Sequence, residues 1–66
     1  MQVVFKFTND DGAEILDFRQ MDVIPGIGDI IWFSKASEGL VVTKRGFEMQ
    51  EGFVIIQLET RKNNWL

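Results

Sequence analysis

Short apolar runs separated by compact polar breaks run the length of the chain. Residues 2–8, QVVFKFT, put Val3, Phe5 and Phe7 on one side of an extended strand and Gln2, Val4 and Lys6 on the other. The break NDDG (9–12) follows. Asp-Gly between apolar runs predicts a hairpin, because glycine accepts the positive φ that the turn demands. Residues 13–19, AEILDFR, return as a strand of mixed facing, since Ile15, Leu16 and Phe18 do not keep to one side. In QMDVIPGIG (20–28), Pro25 removes a backbone donor and biases Ile24 towards an extended shape, while Gly26 and Gly28 allow a turn. This stretch predicts a corner rather than a helix.

The pattern then resumes. DIIWFS (29–34) is a strand with apolar residues on both sides. Its expected facing sets Ile30 and Trp32 inward and Ile31 and Phe33 outward, at the centre of the fold. KASEG (35–39) is a turn, and LVVTKRGFEM (40–49) a strand with Leu40 and Val42 on one face. Gly46 interrupts it and predicts a bulge. After QEG (50–52), FVIIQLET (53–60) alternates most cleanly, with Val54, Ile56 and Leu58 inward and Phe53, Ile55, Gln57 and Glu59 opposite. RKNNWL (61–66) is a polar tail ending in Trp65 and Leu66.

Five strands with no helical period predict one all-β domain over residues 1–66, a small five-stranded antiparallel barrel or a pair of packed sheets. A chain of 66 residues buries only roughly 60% of its unfolded surface. Disulfides cannot compensate, because there is no Cys, and without His the usual zinc sets are excluded. An apolar content of 45%, with six Phe and two Trp, leaves an unusually apolar core or self-association as the source of stability. The net charge of −3 gives no electrostatic reason to expect DNA or an anionic membrane. Charges at Lys6, Asp10, Asp11, Glu14, Asp17 and Arg19 predict no signal peptide. No apolar run approaches the ~20 residues of a membrane helix, and the lack of Cys fits a reducing cytoplasm.

Catalytic chemistry has little to draw on, and no enzyme activity or cofactor is expected. His, Cys and Tyr are absent, and the only serines are Ser34 and Ser37, so a Ser-His-Asp arrangement is impossible. Asp10, Asp11 and Glu14 cluster around one turn, yet an exposed turn lacks the desolvation that tunes a carboxyl group, and a solvated hairpin tip is the simpler account. NDDGAE also lacks the spacing of a calcium loop. GIGD opens a strand rather than a helix, and Asp29 would repel a phosphate.

Apolar excess is the more informative feature. If Val3, Phe5, Phe7, Ile30, Trp32, Val54, Ile56 and Leu58 fill the core, then Val4, Ile31, Phe33, Phe53 and Ile55 remain outside. Contiguous exposed apolar surface marks an interaction site. Ile31, Phe33, Phe53 and Ile55 are therefore the expected protein interface, for another protein or for a homodimer. The other account is that the barrel buries both faces at its ends, with the tail folding back through Trp65. Four of the seven basic residues fall in two pairs, Lys44-Arg45 and Arg61-Lys62. With Phe47 nearby they offer an alternative single-stranded nucleic-acid site, although neighbours in a strand point opposite ways.

The series IPGIGDIIWF, LVVTKRGFEM and FVIIQLE over residues 24–59 resembles the pattern of short single-domain proteins from bacteria and phages. In them a P-x-x-G-D-x-[IV] turn and strand precedes V-x-x-R-x-F and an alternating V-x-I-x-L strand. The resemblance implies an SH3-like small barrel and carries over no catalytic residue. Together these readings lead to the expectation of a non-catalytic, cytoplasmic protein-binding module.

Overall fold

The computed structural model describes residues 1–9, 11–33 and 39–60. Five strands form one curled half-barrel: β1 (Gln2–Thr8), β2 (Glu14–Gln20), β3 (Ile30–Ile31), β4 (Leu40–Glu48) and β5 (Phe53–Thr60). There is no helix among the described residues. The order across the sheet is β2-β1-β5-β4-β3, so the last strand lies in the middle.

Local chemistry explains the turns. Asn9 heads the β1–β2 connection, its side-chain oxygen accepting from the amides of Asp11 (3.0 Å) and Ala13 (2.9 Å). Gly12 supplies the positive φ of 84° that closes it. In the β4–β5 connection the Glu48 carboxylate accepts from the amides of Gln50 (3.1 Å) and Glu51 (2.6 Å). Side-chain acceptors placed in this way satisfy backbone donors that a tight reversal would strand.

One face of the sheet is sealed. Val3, Phe5 and Phe7 of β1, Leu40 and Val42 of β4, and Val54, Ile56 and Leu58 of β5 are all buried there. The 21–33 segment covers them, with Met21, Ile24 and Ile31 packed against the cluster and Pro25 buried. Phe33 is the central cover. Its ring stacks on Phe7 at 4.8 Å between centroids and meets Phe5 edge-on at 5.4 Å. The corner is held by two backbone bonds to one β4 residue, Gly28 N–H to Val42 C=O and Val42 N–H to Asp29 C=O, both 2.9 Å. Gly28 has φ of 94°, which admits glycine at little cost. The Asp29 carboxylate accepts from the Gly26 amide at 2.7 Å and pins the turn.

The structure departs from the sequence reading in three places. The sheet is not purely antiparallel: β1 and β5 run parallel, Val3 to Lys6 pairing with Val54 to Gln57. The chain crosses from the β2 edge to the opposite edge through the 21–29 corner, which brings its first and last strands together in the same direction. The strand expected over 29–34 stops at Ile31 and lies at an edge rather than the centre. Beyond it alternation no longer dictates facing. Ile31 pairs with Leu40 and turns to the core face, Phe33 is buried, and Trp32 is 64% exposed. The inward and outward sets of this stretch are thus the reverse of those expected. Gly46 sits in register opposite Ile55, and the irregularity falls between Val42 and Lys44.

Truncating Phe33 removes the cover. Phe33→Ala is expected to lower stability by about 3 kcal/mol in denaturant titration, and Trp32→Ala by clearly less. Equal losses would contradict the facing described. Gly46→Val is expected to leave stability within about 1 kcal/mol of the parent, because a Cβ there meets nothing within 4 Å and a branched residue suits a strand. A large loss would show that Gly46 is needed for the backbone.

Candidate protein-binding face

The opposite face of the sheet has no covering segment among the described residues. Pairing sets its composition. Phe18 of β2, Val4 of β1, Ile55 of β5 and Gly46 of β4 lie side by side in one row across four strands. Leu16 stands beside Lys6 in the next row, and Phe53 follows along β5. These side chains line a groove of about 550 Å³, bounded by Gln2, Lys6, Glu14 and Glu51. Leu16 and Phe18 are more than half exposed, Ile55 is 37% exposed, and Val4 forms the nearly buried floor. Gly46 adds no side chain to the row, so Ile55 is left open on the β4 side.

The rim carries three charged side chains, Lys6, Glu14 and Glu51. Lys6 and Glu14 approach to 3.6 Å, and both are substantially exposed. An exposed pair of this kind contributes ~0–1 kcal/mol to stability, and Glu51 adds a further carboxylate at the rim.

Of the four residues expected to form an interface, the structure brings two together here. Phe53 and Ile55 share the groove with Val4. Ile31 belongs to the opposite face and Phe33 to the core, so neither joins them. Their places are taken by Leu16 and Phe18, which the sequence reading left without a side. The signal was present in β2 as a two-residue spacing of Leu16 and Phe18 against Asp17 and Arg19. Ile15, apolar and pointing with the charged pair, obscured it.

The basic residues do not converge. Lys44 pairs with Gln57 and Arg45 with Ile56, which puts them on opposite faces of β4. Arg45 lies over the Phe47 ring at 5.9 Å. Arg61 and Lys62 lie outside the described residues, as do Asp10, Ser34, Ser37 and the tail with Trp65. No three His, Cys, Asp or Glu side chains come together among the described residues. A smaller hollow of about 270 Å³ on the core side lies between Arg19, Met21 and Trp32. There Arg19 donates to Asp17 through Nε at 2.6 Å and covers the Phe33 ring at 5.5 Å. The Asp17 carboxylate, through its hydrogen bond and its charge, raises the Arg19 guanidinium further above its usual range.

No protein-family model, no curated protein and no solved structure matches the chain.

Proposed function

We propose that this chain is a non-catalytic protein-binding module whose working surface is the outer face of β1, β2 and β5. One observation carries the reading: Val4, Leu16, Phe18, Phe53 and Ile55 form a continuous concave apolar groove on a face that no other described segment covers. Small soluble domains expose few contiguous apolar patches, and those they expose are commonly interaction sites. The resemblance to short bacterial and phage proteins with SH3-like barrels, and the absence of Cys, fit an accessory role in a reducing cytoplasm. A nucleic-acid role has less behind it, since Lys44 and Arg45 lie on opposite faces of β4 and do not form one basic patch.

Affinity capture from a lysate of the encoding organism tests this at low and at high salt. The expected result is one stoichiometric protein partner retained at high salt, because an apolar interface does not release counterions. Leu16→Ser and Ile55→Ser should lose that partner while keeping the parent's circular dichroism spectrum. Gly46→Val, which fills the row beside Ile55, should weaken capture without destabilising the fold. Unchanged capture by all three variants would contradict the assignment. A nucleic-acid partner lost steeply with salt would favour the alternative.

A further inference from the structure

The sheet has two edges of very different character. β3 is two residues long, whereas β2 presents seven. Met1 and Met21 bond mutually through N–H to C=O contacts of 2.8 and 2.9 Å, and Asn9 donates to Ala13 at 2.9 Å. Antiparallel ladders alternate bonded and non-bonded pairs. The bonded pairs between β1 and β2 are therefore those of Ile15, Asp17 and Arg19. Leu16, Phe18 and Gln20 aim their N–H and C=O groups away from β1, and among the described residues nothing accepts or donates to them.

Such an edge is a template for another strand. The side chains of β2 narrow which strand fits. Asp17 and Arg19 point to the core side of this edge and are bonded to each other. Charges placed in this way deter an unrelated apolar strand. A second β2 meets them with the opposite sign. In an antiparallel pair centred on Phe18, Asp17 stands opposite Arg19 of the second copy, and Arg19 opposite its Asp17. Phe18 exchanges both backbone bonds with Phe18 of the second copy, and Leu16 does so with its Gln20. The two neighbouring registers set Asp17 against Asp17 or Arg19 against Arg19, which like-charge repulsion disfavours.

We propose that two copies of this chain join through β2 in this Phe18-centred register, making one continuous sheet. The dimer is isologous, as two-fold interfaces are. It also sets Leu16 and Phe18 of both copies side by side, so the two outer grooves merge into one apolar face. The proposal does not require that face to bind a different protein.

Sedimentation and amide exchange on the full-length chain test it together. The parent is expected to move from the 7.6 kDa monomer to twice that mass with concentration. Over the same range, exchange at the Leu16, Phe18 and Gln20 amides should slow by about tenfold or more. Asp17→Arg and Arg19→Asp should each be monomeric, and an equimolar mixture of the two should dimerise, since each then meets its opposite charge. A parent that stays monomeric at millimolar concentration would overturn the proposal. So would a dimer in which those three amides exchange as fast as in the monomer, which would mean face-to-face packing. Should Asp17→Arg fail to fold, the concentration dependence of the three parent amides decides alone.

Discussion

Phe33 stacked on Phe7 decides which face of the sheet is closed. Among the described residues one segment lies over a sheet face, 21–33, and Phe33 commits it to the side of Phe5 and Phe7. Asp29 and Gly28 hold the other end of that segment to Val42. With the connection used there, the described residues offer nothing of comparable size for the second face. A domain of this size buries only roughly 60% of the surface its unfolded chain exposes, so apolar surface outside the single core is expected. The exposed groove is thus a consequence of core formation rather than an independent feature.

How far each element was legible depended on the range of the interactions that fix it. The β1–β2 hairpin could be read because Asn9 and Gly12 act within the turn itself. β5 could be read because Val54, Ile56 and Leu58 alternate with more exposed neighbours along one unbroken strand. The parallel pairing of β1 with β5 could not be read, since it joins residues some fifty positions apart in sequence and no local residue signals it. The facing of Trp32 and Phe33 failed for a related reason. Two-residue alternation assumes a strand, and the strand ends at Ile31, where the bonds from the corner to Val42 take over the path.

The candidate surface was legible in half. Phe53 and Ile55 follow from the alternation of β5, whereas Leu16 and Phe18 depend on knowing that β2 turns its charged residues towards the core side. That inversion is sustained by Asp17 and Arg19, which satisfy one another and let the guanidinium plane rest over Phe33. The same pair gives the β2 edge a signed pattern, while the groove beside it has an apolar floor and keeps its charges at the rim. As proposed, edge and groove therefore call for different partners: a strand of complementary charge at the edge, and apolar side chains at the groove.

The central claim is that one face is sealed and the other open. Solvent paramagnetic relaxation of methyl groups, measured by nuclear magnetic resonance with a soluble spin label, tests it most directly. Strong relaxation is predicted for the methyls of Leu16 and Ile55, and weak relaxation for those of Val3, Val42, Ile56 and Leu58. An Ile55 methyl as shielded as that of Ile56 in the monomer would mean that the outer face is covered from within the chain, and would contradict the account.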